Sequence, residues 1–447
     1  VNSAGRLIAA LVAGVPLATI TPAYAVGPTA VGAAAVGPAT VVPPAVDSTL
    51  LPRPAPPGPA QRTEQRRPCY RSDAENTKSI GTPLDLDSVW PLSRGEGQTI
   101  AVIDTGVARH RLLPHLVGGG DYVSRGDGTS DCDGHGTIVA GIAGAAKDNG
   151  FSGVAPEAVI LAIRQSSNKF TPAGGSTGVG DVETLAMAVR TAADLGATVI
   201  NISSPACVAA DAAPDDRALG AALEYAVEER NVVVVTAAGN VGAGCTQQDT
   251  PTGPSSQPDW DGVRSVSSPG WYDDLVLCVG SVGSDGAASD FSLAGPWVDV
   301  AAPGENLISL HPDGAHLIDT IGRHSPISGT NYAAPVVAGI VALVRARFPR
   351  LSAREVMRRI EDTARTPADG WNPFVGHGVV DALAAVSGGG ASGPAAPLAR
   401  VSVAPAIPAP IDSRARRIAF GGGAVCLGLT VLTALAFSAG RLRRRRG

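Results

Sequence analysis

Short, β-branched runs that are apolar on both faces recur through the middle of this chain, and they restrict its fold more than any other feature. Thr99 to Ile103 is the first, closed by Asp104; Val159 to Ile163, Val199 to Ile202, Val232 to Val235 and Leu275 to Val282 repeat it. A strand with one wet face alternates apolar and polar residues. A strand covered on both faces need not, so these runs suit the centre of a parallel sheet. Between them lie helix-like stretches at Thr137 to Ala146, Asp181 to Leu195 and Asp216 to Glu229. In the second, Val182, Leu185, Ala186 and Val189 recur at helical spacing, and Asp181 stands where a capping side chain is needed. Strands alternating with helices predict a doubly wound α/β domain, a parallel sheet with helices on both faces. In such a sheet functional groups gather at the carboxyl ends of the strands.

The ends of the chain differ from its middle. Arg6, the apolar stretch Leu7 to Ile20 and the small-x-small site Ala23-Tyr24-Ala25 read as a secretory signal peptide over 1–25. Val1 in place of methionine reads as the literal translation of a GUG start codon. Residues 26–60, rich in Ala, Val, Pro and Gly, read as an extended linker, and 387–417 as a second one. Ile418 to Gly440 carries no charge and is long enough to cross a hydrocarbon core of about 30 Å. The basic run Arg441 to Arg446 follows at once, so 441–447 is expected on the cytoplasmic side. Everything before Ile418 is then expected outside, as a periplasmic domain on a single-pass anchor in the inner membrane, in contact with lipid through 418–440.

Composition narrows the function. A hydrophobic content of 44% allows a large core, while 55 glycines and 36 prolines call for long loops. The net charge of −5, with no long basic run inside the folded region, argues against nucleic acid as a partner. Of the 6 cysteines none forms a C-x-x-C pair, which disfavours zinc or thioredoxin-type chemistry. Export exposes them to oxidising conditions. Cys426 falls in the apolar C-terminal stretch and Cys278 in a strand-like run, leaving Cys69, Cys132, Cys207 and Cys245 for two bridges of open connectivity. No acidic cluster has calcium-loop spacing, so neither a metal nor a cofactor is expected.

Four segments carry the chemistry. Asp104 ends the first strand in Val102-Ile103-Asp104-Thr105-Gly106, and His135 precedes a helical run in Asp133-Gly134-His135-Gly136-Thr137. Asn240 follows a strand in Ala237-Ala238-Gly239-Asn240, and Ser328-Gly329-Thr330-Asn331-Tyr332-Ala333-Ala334-Pro335 opens an apolar helix through Val344. An imidazole serves as general base when a carboxylate holds its other nitrogen in the right tautomer. A side-chain amide can donate to an oxyanion, and a nucleophile at a helix start gains from oriented N–H groups. Singly each residue reads as a turn former or cap; in this order and in these glycine-bracketed settings they resemble the signatures of the subtilisin-like serine proteases, over 96–386. His110, His115, His311, His316, His324 and His377 have no such setting and read as loop or surface residues.

The resemblance breaks at one position. The family's nucleophilic serine follows Gly-Thr at this helix start, and here Asn331 follows Gly329-Thr330. A carboxamide has no hydroxyl to deprotonate. In subtilisin, loss of the serine costs about 10⁶ in kcat. Neither Ser328 nor Thr330 is expected to replace it, because misplacement by even about 1 Å is costly.

Further phrases narrow the resemblance. Thr63-Glu64-Gln65-Arg66-Arg67 before Cys69, Ser130-Asp131-Cys132-Asp133, Arg164-Gln165-Ser166, Pro269-Gly270-Trp271-Tyr272 and Leu293-Ala294-Gly295-Pro296-Trp297 are similar to the mycosins, membrane-anchored subtilases of type VII secretion systems. That resemblance implies an N-terminal extension, 61–95, retained and wrapped around the core. It implies bridges Cys69–Cys132 and Cys207–Cys245 and association with the secretion membrane complex, with secreted proteins as substrates wherever the nucleophile is present. It also places Asn201 to Pro205 along the cleft, with Ser203, Ser204 and Pro205 edging a bound peptide. Pro205 stands where the family usually has glycine, which removes a backbone donor.

Overall fold

A computed structural model of the 447-residue chain describes residues 41–71 and 84–388, except 149, 177, 243, 250–257 and 323–324. The expected signal peptide, the anchor 418–440, Cys426, His324 and the basic tail lie outside the described residues. Among those described, no helix is long and apolar enough to cross a membrane.

The strands are β1 (Thr63–Gln65), β2 (Thr99–Asp104), β3 (Leu116–Asp121), β4 (Val159–Arg164), β5 (Phe170–Pro172), β6 (Val199–Ile202), β7 (Ala206–Ala209), β8 (Val233–Ala237), β9 (Ser265–Ser268), β10 (Leu277–Val282) and β11 (Val300–Pro303). Seven of them form one sheet in the order β11-β10-β8-β6-β2-β4-β3. All its pairings are parallel, which requires crossover connections and buries both faces. That is why the core strands read as unbroken apolar runs: Ile100, Val102, Ile200, Val234 and Leu277 are all fully buried. Each such side chain contributes about 1.5–3 kcal/mol.

The helices are α1 (Leu86–Val89), α2 (His135–Gly144), α3 (Val182–Asp194), α4 (Arg217–Glu224), α5 (Thr330–Arg347), α6 (Ala353–Thr363) and α7 (Ala382–Val386). The pair α2 and α5 packs together against the sheet, and α3 packs on the sheet with α4 beside it. Asp181 caps α3 in a reciprocal box with Thr184, as the sequence predicts. The third expected helix widens after Glu224 into a π-helical turn, Tyr225–Glu229, and ends before Asn231, whose φ is +56°.

Residues 41–60, read as part of an extended linker, lie against the domain at several points. Asp47 caps a short turn, Ser48–Leu50, that lies against α4, and Val41 and Leu51 pack on the core. Arg190 Nη1 donates to the Pro52 carbonyl at 3.3 Å. A proline-rich composition sets an extended backbone, but the few Val and Leu side chains along it still find apolar surface. Farther on, β1 pairs antiparallel with β5, and Tyr70 N–H donates to the Cys132 carbonyl at 2.7 Å.

Candidate active site

Asp104 is the last residue of β2, at the carboxyl end of the sheet, and is only 1% exposed. Its Oδ1 accepts from Thr105 N–H at 2.7 Å and pairs with His135 Nδ1 at 2.7 Å. His135 opens α2. A Cβ at Gly136 would strike the Gly106 carbonyl, so glycine there lets this helix approach the end of β2.

A residue that sequence reading passed over organises the approach. Asp131 accepts from Thr105 Oγ1, Asp133 N–H and Gly134 N–H through Oδ1, and from Thr137 N–H and Oγ1 through Oδ2. It thereby ties the residue after Asp104 to the first turn of α2. Burial pushes its carboxyl up to about 6, although the Thr137 and Gly134 hydrogen bonds pull the other way. Asp133 reaches outward to accept from Asn168 N–H at 2.8 Å and from Ser167 Oγ.

The electrostatics at His135 follow from these carboxylates. Burial alone would lower the imidazole, but the Asp104 charge and hydrogen bond, with Asp131 and Asp133 behind, outweigh it and hold the pKa above its usual value. The imidazole side chain is 22% exposed, so its Nε2 side remains approachable.

Asn240 comes from the loop after β8 and Asn331 from the start of α5. The two are joined to His135 by a directed chain of hydrogen bonds. Asn240 Oδ1 accepts from Thr330 N–H at 3.0 Å and from Thr330 Oγ1 at 3.2 Å, which turns its Nδ2 outward. That Nδ2 donates to Asn331 Oδ1 at 3.0 Å. Asn331 Nδ2 in turn donates to His135 Nε2, 2.7 Å away. With Nδ1–H directed at Asp104, Nε2 of the neutral ring is an acceptor, and each link sets the polarity of the next. Gly329 has φ +153°, and a Cβ there would strike Asn331 Oδ1 and come within 3.3 Å of Asn240 Nδ2, so glycine permits the bridge.

The neighbouring hydroxyls are occupied elsewhere. Ser328 Oγ accepts from Asn306 N–H at 3.0 Å, and Thr330 Oγ1 accepts from Gly239 N–H at 3.1 Å. Tyr332, unforeseen because it lies in an apolar helix, packs its ring 5.2 Å from the imidazole. Burial first, and the Asp104 charge second, push its phenol far up, so it stays protonated.

Of the expected cleft residues, Ser204 is exposed and Pro205 half-buried, but Ser203 is fully buried and accepts from Asn201 Nδ2 at 2.8 Å. Its hydroxyl faces inward one residue past the end of β6, turned toward the Asn201 side chain. Beyond Pro205, β7 pairs antiparallel with β9. Disulfides join Cys69 to Cys132 and Cys207 to Cys245, while Cys278 is free and buried. His110 and His311 lie in loops, as expected, but are buried there: each accepts a nearby backbone N–H through Nδ1, from Leu112 and Asp313 respectively. His115, His316 and His377 are exposed. Among the described residues no cluster of His, Cys, Asp and Glu could hold a metal ion.

A parallel sheet with an aspartate, a histidine, an outward amide and a helix start brought together at its carboxyl edge defines the subtilisin-like peptidase class. Residues 95–378 match the model of the Subtilase family, Peptidase_S8. Within that class the chain belongs to the mycosins. It is 55% identical to Mycosin-4 of Mycobacterium tuberculosis over 418 residues, covering 89% of this chain and 91% of that one. It is 44% identical to the solved MycP3 protease of the type VII (ESX-3) secretion system, with a TM-score of 0.72, covering 78% of this chain and all of that one. A chain in the intact ESX-5 inner membrane complex is 39% identical with a TM-score of 0.73, covering 89% of this chain.

Proposed function

We propose that this chain is a proteolytically silent mycosin that serves as a structural subunit of a type VII secretion membrane complex. The observation that carries the reading is the position of Asn331, whose amide nitrogen sits against the base nitrogen of His135 and whose oxygen occupies the outward donor of Asn240. A serine at 331 would offer the imidazole a proton to remove; an amide nitrogen, its lone pair delocalised, offers no nucleophile. The domain stands in the periplasm in this reading, anchored by 418–440 with 441–447 inside, following export by 1–25. Relatives of the same fold occur within an inner membrane complex, which supports an assembly role that needs no nucleophile.

The intact remainder of the site favours a second reading, an endopeptidase for secreted substrates whose serine has been replaced. Both readings meet in one experiment. The parent chain and its Asn331→Ser variant are incubated with a denatured protein substrate, and fragments are counted by mass spectrometry. The parent is expected to release none above a heat-treated control, and the variant to cleave, because base, orienting carboxylate and amide donor are already placed. Cleavage by the parent that survives removal of contaminants would overturn the assignment.

A further inference from the structure

We infer that the Asn240–Asn331–His135 arrangement is a receptor for the C-terminal carboxylate of a peptide, the end left by a completed cleavage. The inference rests on the reading above that Asn331 is not a nucleophile.

In the ligand-free site the amide of Asn331 satisfies two partners at once, accepting from Asn240 Nδ2 and donating to His135 Nε2. Asn240 cannot follow a rearrangement, because Thr330 N–H and Oγ1 hold its oxygen inward. Binding of a carboxylate requires the Asn331 amide to turn over. After that turn its oxygen faces His135 Nε2 and its nitrogen faces Asn240 Nδ2. Two consequences follow from the donor inventory. The imidazole must carry a proton on Nε2 to donate to the amide oxygen. Two side-chain N–H donors then converge on one point, which is stable only with an acceptor between them.

A carboxylate meets both requirements. Its oxygens accept from the two amides, and its charge balances the proton taken up by His135. An uninterrupted peptide offers a neutral carbonyl at this point, and it must continue past the Asn331 amide, which fills space beside His135. A chain that ends there has nothing to place beyond. Exposed Ser204 and half-buried Pro205 leave an edge along which the preceding residues can lie extended.

The carboxylates around the imidazole support its taking the proton: Asp104 at the end of β2, with Asp131 and Asp133 in the loop before α2. From α5 it is faced by the neutral phenol of Tyr332. These groups also set the sign of the pH dependence. If binding takes up one proton, affinity for the carboxylate weakens about tenfold for each pH unit above the pKa of the unliganded imidazole.

The test is calorimetry on the full chain in detergent. The ligands are an acetylated tetrapeptide library, Ac-Ala-Ala-Ala-Xaa, as free acids, the same library as C-terminal amides, and acetate. At about pH 6, where histidine titrates, the acids are expected to bind at least about tenfold tighter than the amides, a preference worth one pKa unit of charge interaction. Proton uptake, read in buffers of differing ionisation enthalpy, is expected to be small at about pH 6, where the imidazole already carries its proton, and to approach about one per site as pH rises above its pKa. Asn240→Ala is expected to abolish the preference while the fold, read by its unfolding midpoint, is retained. Acetate is expected to compete only weakly. Equal binding of acids and amides, no binding of either, or acetate matching the peptides would each overturn the inference. Cleavage of the amide library by the parent chain is the separate result that would overturn the reading beneath it.

Discussion

Replacing Asp131 with asparagine keeps the shape of the side chain and removes its titration, which isolates the electrostatic cost of organising this site. In the folded chain burial raises the Asp131 carboxyl from an ordinary 3.8 to about 6, with the Asp104 charge adding to the rise and hydrogen bonds from Thr137 and Gly134 opposing it. A carboxyl whose folded pKa lies above its unfolded one holds an extra proton in the fold between the two values. Its contribution to stability is therefore fully present below the unfolded pKa and is lost as pH rises through the folded one. At about 1.4 kcal/mol per pH unit, a rise of this size is worth about 3 kcal/mol. The stability of the parent relative to Asp131→Asn should accordingly be greatest below about pH 3 and fall by about 3 kcal/mol by about pH 7. Other titrating groups are common to both proteins and largely cancel. Urea unfolding of the two chains at closely spaced pH values gives the difference directly. A difference that stays flat or rises with pH would refute the reasoning, since it would mean that the Thr105, Gly134 and Thr137 donors keep Asp131 ionised throughout.

Three further outcomes are expected. Cys69→Ser with Cys132→Ser opens a loop spanning 63 residues; the loss should approach about 4 kcal/mol by chain entropy, less what the β1–β5 pairing retains, read as a lower denaturant midpoint and faster proteolysis near residue 66. Asp216→Ala should cost about 3–5 kcal/mol in unfolding free energy, because it strands Trp271 Nε1–H and the Tyr272 hydroxyl, both buried and both within 2.8 Å of its carboxylate. In the Asn331→Ser background, Pro205→Gly adds one N–H to the cleft edge and should lower KM about fivefold, the value of one hydrogen bond, with kcat little changed.

The parallel sheet was legible because burial on both faces leaves no room for alternation, so Thr99 to Asp104 and Val199 to Ile202 stand out as strands without any periodicity. Asp104, His135, Asn240 and Asn331 were legible as a set, each at a junction between a regular element and a loop. Asp131 was not, because an aspartate among glycines and aspartates looks like a turn former until its hydrogen bonds to Thr105 and Thr137 are seen. Tyr332 was hidden by the apolar helix around it, and Ser203 by the assumption that a cleft residue faces the cleft. That His110 and His311 are buried within their loops was not legible, because an imidazole is buried at little cost when the backbone satisfies it, which composition does not reveal.

Proteolytic silence requires that no activated oxygen stand beside His135. A fluorophosphonate transfers its phosphoryl group only to an oxygen that a neighbouring base has activated, so the intact mass of the treated protein reports that oxygen directly. The parent chain is expected to keep its mass at a reagent concentration that adds a single adduct to Asn331→Ser, mapped to residue 331. An adduct on the parent, at residue 331 or at Ser328, Thr330 or Tyr332, would contradict the account.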